Sequence, residues 1–268
     1  MPDLFSNDFM HAVQQLHQYR KSLSTTTYKS RGQRVIRCEL CRLAKQFCIC
    51  ALVPSVESNA GFLMLMYDTE VLKPSNTGKL IADLIPDCFA FLWSRTQVNP
   101  EIIKVLEDPI WQPMIVFPKA YAGENREIFD NKITLESGKR PLFIMLDGCW
   151  REAKKMFRRS PYLQHLPVVS FTPKTPDNAA ELSSRYQIRV AANNTELATA
   201  EVAAQILSLA GEQTNADLLD LWFDVFSYQY QRGVCQENKA NPNAVLDYTE
   251  FAKSKGITLA QDLTKRSE

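Results

Sequence analysis

The stretch PLFIMLDGCWREAKKMFRR, residues 141–159, decides the fold. An apolar run stops at Asp147, a Gly–Cys pair turns the chain, and Trp150 begins a segment with a strong helical pattern. This order predicts a buried strand followed by a helix. In open α/β sheets, ligands bind where strands end and helices begin. Asp147 is therefore a candidate acid or base, although an Asp at a helix start more often acts as an N-cap.

Basic residues follow on the same predicted helix. Lys154, Lys155, Arg158 and Arg159 form a dense positive set beside the candidate carboxylate. This set predicts a contact with RNA phosphates for Lys154, Lys155 and Arg158. The alternative is an ordinary solvated helix face.

Apolar runs alternate with helical patterns from residue 61 to about residue 210. Strands are predicted at GFLMLMY (61–67), FAFLW (89–93), MIVFP (114–118), PLFIML (141–146), VVSFTP (168–173) and YQIRV (186–190), and helices near 77–85, 99–107, 124–130, 150–159 and 196–210. This alternation predicts an α/β fold with a largely parallel sheet.

The chain divides into three predicted parts. Residues 1–60 hold an amphipathic helix and a cysteine cluster, residues 61–235 form the α/β domain and its aromatic C-terminal helix, and residues 236–268 form a polar, poorly patterned tail. No apolar run approaches the roughly 20 residues of a membrane span, and the N-terminus lacks an apolar signal core. We therefore expect a cytoplasmic protein that does not contact a membrane. The sequence leaves its oligomeric state open, a monomer included.

Positive charge is concentrated near the N-terminus. The net charge of the whole chain is only +1, so overall charge does not indicate a nucleic-acid partner. From Tyr19 to Lys45, however, there are eight basic residues and a single acid, Glu39. Within this region we predict RNA contacts for Arg34, Arg37, Arg42 and Lys45, with solvated surface charge as the alternative.

The segment RCELCRLAKQFCIC, residues 37–50, predicts a metal site. Cys38, Cys41, Cys48 and Cys50 have the spacing C-x2-C-x6-C-x-C. Two short cysteine pairs suit a tetrahedral Zn²⁺, and in a reducing compartment metal binding is expected before disulfides. An iron–sulfur cluster or free thiols are the weaker alternatives. Four protein ligands would close the coordination shell, so the metal would be structural.

The loop KPSNTGK, residues 73–79, is a second candidate element of the site. Ser75 or Asn76 can cap a helix, and Gly78 permits close approach of a ligand to the backbone. The spacing is not that of a P-loop. With only three histidines in the chain, a Ser/His/Asp hydrolase and a histidine-ligated catalytic metal are poorly supported. Cys149 is predicted to be a small packing residue.

Taken together, these segments resemble the DTW-domain family, the tRNA-uridine aminocarboxypropyltransferases. The resemblance runs from about residue 34 to residue 230. It rests on CELCRLAKQFCIC, EVLKPSNTGKL, FLWSRT, IVFP, LDGCWREAKKM with SPYLQHLP, SRYQIRV and LATAEVAAQIL. Two positions depart from the family pattern. Cys149 stands where Thr is usual, and Tyr67–Asp68 stand where a His-containing turn is frequent.

The resemblance implies a SPOUT-like α/β fold with a C-terminal trefoil knot that binds S-adenosylmethionine. It implies transfer of the 3-amino-3-carboxypropyl group to N3 of a tRNA uridine, with Asp147 as the general base. Trp150 would stack on a base or wall the adenosine pocket, the alternative being a core aromatic residue at a helix start. Arg185 and Arg189 would hold the donor carboxylate or an RNA phosphate. The implied cofactor-binding residues are Asn76, Thr77, Gly78, Pro118, Leu146, Asp147, Trp150, Arg185, Arg189 and Thr199. The alternatives are a SPOUT-class RNA methyltransferase and a non-catalytic zinc-knuckle RNA-binding protein.

Overall fold

The computed structural model describes residues 10–25, 34–124, 126–130, 132–171, 197–234 and 237–265. The strands are β1 (Pro54–Ser55), β2 (Gly61–Met66), β3 (Cys88–Leu92), β4 (Trp111–Val116), β5 (Ile128–Phe129), β6 (Arg140–Asp147), β7 (Val168–Val169) and β8 (Thr258–Leu259). The helices are α1 (Ala12–Ser22), α2 (Gly78–Leu84), α3 (Pro100–Glu107), α4 (Trp150–Arg158), α5 (Thr199–Leu209), α6 (Gln213–Arg232), α7 (Ala244–Ser254) and α8 (Ala260–Lys265). No helix in this described part is long and apolar enough to cross a membrane.

A parallel sheet of six strands forms the centre, in the order β3-β2-β6-β4-β7-β5. The α/β prediction with a largely parallel sheet is confirmed. The central strands β2 and β6 are continuous apolar runs because both faces of the sheet are covered. Phe62 and Met64 face the core formed with α2, α5 and α6, whereas Leu63 and Leu65 face the core formed with α3 and α4.

The connections define a switch point between β2 and β6. From β2 the chain passes through α2 to β3 on one side, and from β6 it passes through α4 to β7 on the other side. Ligand sites of open α/β sheets lie in the crevice outside the carboxyl ends of strands at such a point. Asp147, the last residue of β6, pairs in register with Met66, the last residue of β2. The fold therefore places the candidate carboxylate at the expected position.

The helix predicted near residues 124–130 is wrong. This segment contains the two-residue strand β5, which pairs in parallel with β7. The Arg126 side chain fixes the segment by donating to the carbonyls of Leu163 and Leu166. Such a short strand shows no alternation, so its polar sequence was compatible with a helix. The other four helices predicted between residues 61 and 210 are present, and the predicted strand YQIRV lies outside the described residues.

The C-terminal segment differs from the expected poorly patterned tail. Ala244, Tyr248 and Ala252 form the buried stripe of α7, and the Tyr248 ring lies 5.1 Å from that of Trp222 in α6. Strand β8 pairs antiparallel with β1, which follows the cysteine cluster. This buried stripe is only one residue wide, so the apolar pattern of the helix in the sequence is weak. The segment thus contacts both β1, next to the cysteine cluster, and α6, which packs on the central sheet.

Candidate active site

Three segments meet at the carboxylate of Asp147. The residue is buried, with 2% of its surface exposed, at the carboxyl end of β6. Thr199, the first residue of α5, donates its hydroxyl to Oδ1 at 2.6 Å. Asn76, in the turn before α2, donates its side-chain amide to Oδ2 at 2.6 Å. Both carboxylate oxygens are therefore oriented by hydrogen bonds.

Gly78 allows α2 to approach this carboxylate. A Cβ atom at position 78 would stand 2.8 Å from Asp147 Oδ2 and 2.9 Å from the Met64 methyl carbon. Real Cβ atoms do not come so close to other atoms, so the close approach requires glycine. Leu146 and Thr77 lie next to the contact, with Leu146 half-buried and Thr77 buried. Of the predicted cofactor-binding residues, the structure thus brings Asn76, Gly78 and Thr199 together at the Asp147 carboxylate.

A second buried acid, Glu70, extends the network and was missed by sequence reasoning. It is 2% exposed, and the Lys73 ammonium lies 2.6 Å from Oε2. The amide of Asn76 bridges the two acids, since its Nδ2 also lies 3.4 Å from Glu70 Oε1. The signal available in the sequence was the position of Glu70 in the loop that directly follows β2. The site therefore contains two carboxylates connected through one asparagine.

The two positions that depart from the family pattern have structural roles. The Tyr67 amide donates to the Asp147 carbonyl at 2.8 Å, and Asp68 accepts two hydrogen bonds from Arg20 of α1. Cys149 is exposed, so the predicted packing role is wrong. Its amide instead donates to Glu152 at 2.8 Å in the first turn of α4. Partial desolvation and contact with Glu152 raise the pKa of the Cys149 thiol, which disfavours a nucleophilic thiolate.

Aromatic rings surround the DGCW turn on the other face of the sheet. The half-buried Trp150 stacks on Phe117 at 5.3 Å and meets Tyr121 edge-on at 5.5 Å. Pro118, predicted to bind cofactor, is exposed next to Phe117. Tyr67 stacks on Trp93, at a centroid distance of 6.1 Å. Trp150 is thus tied to an aromatic cluster rather than to the Asn76–Thr199 group.

Two lysines of α4 lie over these rings. Lys154 Nζ is 5.5 Å from the Trp150 ring, and Lys155 Nζ is 5.7 Å from the rings of both Tyr67 and Trp93. Arg151, Arg158 and Arg159 on the same helix are exposed. The one acid of α4, Glu152, is engaged at the N-terminal turn. Helix α4 therefore presents cations above aromatic rings beside the Asp147 turn, an arrangement suited to phosphates and unstacked bases.

The four clustered cysteines converge on one point. The ligand atoms of Cys38, Cys41, Cys48 and Cys50 all lie within 4.8 Å of one another. The Sγ atoms of Cys38 and Cys50 are 3.7 Å apart, and those of Cys41 and Cys48 are 3.8 Å apart. Thiolates around a tetrahedral zinc stand about 3.8 Å apart, given a Zn–S distance of about 2.3 Å. The residues fit a zinc ion.

The basic residues near this cluster lie in different environments. Arg34 and Lys45 are exposed, and the half-buried Arg37 donates to the Arg42 carbonyl at 3.1 Å. Arg42 is only 5% exposed, and its guanidinium donates to the Val71 carbonyl. The prediction that Arg42 contacts RNA phosphate at the surface is therefore wrong, because the side chain points into the protein. Arg185 and Arg189, predicted to bind the donor or RNA, lie outside the described residues.

The fold and the site define an α/β protein with a carboxylate at its switch point and a four-cysteine cluster beside it. The sequence matches the DTW domain over residues 35–231, and the chain belongs to that family. It is also similar to tRNA-uridine aminocarboxypropyltransferase 2 of Macaca fascicularis, with 26% identity over 179 residues, which cover 64% of this chain and 55% of that protein. The match thus spans about half the length of that relative. No solved structure matches the chain.

Proposed function

We propose that this protein transfers the 3-amino-3-carboxypropyl group of S-adenosylmethionine to N3 of a uridine in tRNA. The observation that carries the proposal is the buried Asp147 carboxylate, held by Asn76 and Thr199 at the switch point of a DTW-domain fold. The similarity to a tRNA-uridine aminocarboxypropyltransferase supports the substrate and the group transferred. The donor is consumed in the reaction and is a substrate.

Asp147 acts on a proton in this proposal. Uridine N3–H is a weak acid, so a positioned base accelerates its removal. The N3 electron pair then forms a bond to the methionine γ-carbon, the C–S bond breaks, and its electron pair stays on sulfur in methylthioadenosine. Asn76 and Thr199 fix the carboxylate before the substrates arrive, which removes part of the orientational cost. In a rival role, Asp147 would bind the ammonium group of the donor.

We propose that tRNA binds to α4 and to the aromatic rings that its lysines contact, those of Trp150, Tyr67 and Trp93. Lys154 and Lys155 bring positive charge within 6 Å of Trp150 and Tyr67. N3 is a Watson–Crick edge atom, so the uridine must be unpaired and splayed out before it reacts. An exposed cationic helix beside half-buried rings supports phosphate contacts and stacking of such a base. Arg34, Arg37 and Lys45 are proposed to add phosphate contacts, and Arg185 and Arg189 to bind the donor carboxylate or RNA.

The remaining part of the proposal concerns the metal and the fold. We assign Cys38, Cys41, Cys48 and Cys50 to a structural Zn²⁺, which would hold the cysteine loops together and take no part in the transfer. Elemental analysis should give one zinc per chain in the wild type and none in the Cys38→Ser/Cys41→Ser variant; full retention in the variant would refute the assignment. We also propose that the sheet belongs to a SPOUT-like fold with a C-terminal knot.

Product analysis tests the proposed reaction against its alternatives. The protein is incubated with S-adenosylmethionine and tRNA that lacks the modification. Methylthioadenosine together with an aminocarboxypropyl uridine is the expected outcome. S-adenosylhomocysteine would instead identify a methyltransferase, and RNA binding without either product would identify a non-catalytic binding protein.

A further inference from the structure

Two buried basic side chains connect the four-cysteine module, residues 38–50, with residues 71–79, the segment whose Asn76 contacts Asp147. Arg42 of the module donates from its guanidinium to the carbonyl of Val71, in the loop after β2. In the opposite direction, Lys79 at the start of α2 donates from its ammonium to the carbonyl of Cys41, one of the four clustered cysteines. Lys79 also reaches the Pro74 carbonyl at 3.2 Å. The module and residues 71–79 are thus joined from both sides.

Both cations lie where a charge is costly. Arg42 is 5% exposed and Lys79 is 1% exposed. The ammonium of Lys79 also lies 4.5 Å from the ring centroid of Phe226 in α6. A buried charge is retained only where specific partners hold it, so both side chains have fixed positions.

The backbone of Arg42 is unfavourable for an arginine. Its φ angle is 62°, in the left-handed region, and Arg42 is the one residue other than glycine with positive φ in the described part of the chain. Glycine adopts this conformation without a steric cost. The turn after Cys41 would therefore form more easily with glycine, and the arginine side chain must serve a purpose other than building the turn.

The contacts at Val71 and Lys79 flank Asn76, the residue that orients the candidate base Asp147. Asn76 lies between Val71 and Lys79, and its amide donates to Asp147 at 2.6 Å. The Lys79 backbone amide donates back to the Asn76 side-chain oxygen at 3.2 Å. A chain of hydrogen bonds therefore runs from the Cys41 carbonyl through Lys79 and Asn76 to Asp147.

We propose that Arg42 and Lys79 are positioning residues that make the orientation of Asn76 at Asp147 depend on the metal-loaded cysteine module. In the apo protein the Cys41 carbonyl and the Arg42 side chain lose their fixed positions, and the Asn76 turn loosens. The inference depends on the proposed function only for the choice of Asp147 as the reacting site. It links a structural metal to the reaction without any contact between the metal and the substrates.

Hydrogen exchange of the backbone amides tests this link without substrates. The Arg42→Gly variant removes the guanidinium and relieves the unfavourable turn, and Lys79→Met removes the charge while keeping the length of the side chain. Lys45→Met, at an exposed lysine of the same module, is the matched control. Metal content is measured beside exchange in every variant.

The expected result is one metal per chain in all three variants, with exchange at residues 76–80 at least tenfold faster in Arg42→Gly and Lys79→Met only. Amides of β6 should stay protected, which shows that the fold persists. Wild-type exchange at residues 76–80 in both variants would overturn the proposal. If the variants do not fold, the same exchange measurement is made on the wild type after the metal is removed with a chelator. Faster exchange at residues 76–80 with β6 still protected would support the proposal. Faster exchange confined to residues 38–50 would refute it. A wild type without transferase activity would refute the proposed function and leave this measurement valid.

Discussion

At the scale of single residues, the site depends on how its two buried acids are held. Asp147 receives hydrogen bonds from Asn76 and Thr199, and Glu70 is paired with Lys73 and lies near the same asparagine. Asn76 is therefore the residue through which a change at one acid reaches the other. Such networks contribute more together than pairwise deletions suggest, because each donor orients the next group.

We expect Asp147→Asn to lower the single-turnover rate about 10²–10⁴-fold, which is typical of losing a general base. Donor and tRNA affinities should change little, because the shape of the side chain is kept. Rates at saturating donor and calorimetric titration with S-adenosylmethionine are measured together. The matched control is Asp108→Asn, which lies just before the amino end of β4 and therefore at the opposite end of the strands from Asp147. Lost donor affinity with near-normal chemistry would assign Asp147 to binding the donor ammonium.

Replacing Gly78 by Ala should disturb the same carboxylate through space. The added Cβ would fall 2.8 Å from Asp147 Oδ2, so either α2 or the carboxylate must shift. We expect a loss of about 1–3 kcal/mol in the free energy of unfolding, typical of overpacking, and a large loss of transfer rate. Denaturant titration and single-turnover rates check this.

Gly138→Ala provides the matched control for position 78. Gly138 has open space around it but a φ of 79°, so alanine there is strained by its backbone and not by contact. This control should lose stability and keep its rate. Equal rates for the two variants would contradict a contact role for Gly78.

At the scale of elements, α4 combines two functions on one helix. Its buried residues Met156 and Phe157 pack on the sheet, while Lys154 and Lys155 lie over the aromatic rings near the DGCW turn. The same helix that follows Asp147 thus carries the proposed RNA surface. The distance from phosphate contact to reacting base is therefore set by a rigid element.

We expect the combined substitution of Lys154, Lys155 and Arg158 by Ala to weaken tRNA binding and to flatten its salt dependence. Each lost phosphate contact should reduce the slope of log K against log salt by about 1. Filter binding at several salt concentrations measures this. The control replaces the exposed Lys104, Lys132 and Lys253, which lie on other elements, and should leave the slope unchanged. An unchanged slope in the α4 variant would make these cations a solvated face.

The sequence predicts strand β6, its turn and α4 well, because an apolar run ends abruptly at a carboxylate. It also predicts the cysteine cluster, whose ligands are close in sequence. It does not predict the Asn76–Asp147 contact, which joins residues 71 positions apart through the order of the strands. The sequence does not predict the burial of Arg42 either, because a basic residue beside a cysteine pair is typical of the protein surface. Strand β5 was missed because two residues are too few for periodicity.

At the scale of the whole molecule, buried charge makes stability depend on pH. His17 of α1 is half-buried, and its desolvation, together with the charges of Arg42, Lys21 and Lys79, lowers its pKa from 6.5 to about 4. Between these values the unfolded chain binds more protons at His17 than the folded protein does. The free energy of unfolding therefore rises with pH from about 4 to about 6.5, and the contribution is lost on acidification.

We expect His17→Gln to reduce the gain in stability between pH 4 and pH 6.5 by about 1–3 kcal/mol, a range that allows for partial exposure of the ring. Denaturant titrations of wild type and variant at several pH values measure the difference. His165→Gln, at an exposed histidine, is the control and should follow the wild type. Identical pH profiles for His17→Gln and the wild type would contradict the assignment.

The pairing of β8 with β1 has a consequence for how the chain folds during synthesis. Pro54 and Leu259 are partners, although about 200 residues separate them. The central strands can pair while the chain is still being translated. Strand β1, next to the cysteine module, can pair only after β8 (Thr258–Leu259) has been synthesised. Closing so long a loop is slow. Until it closes, β1 and the Leu52 carbonyl that accepts from Tyr248 have no partners in α7 and β8. A nascent chain that ends before β8 therefore lacks the pairing that holds β1 beside the cysteine module.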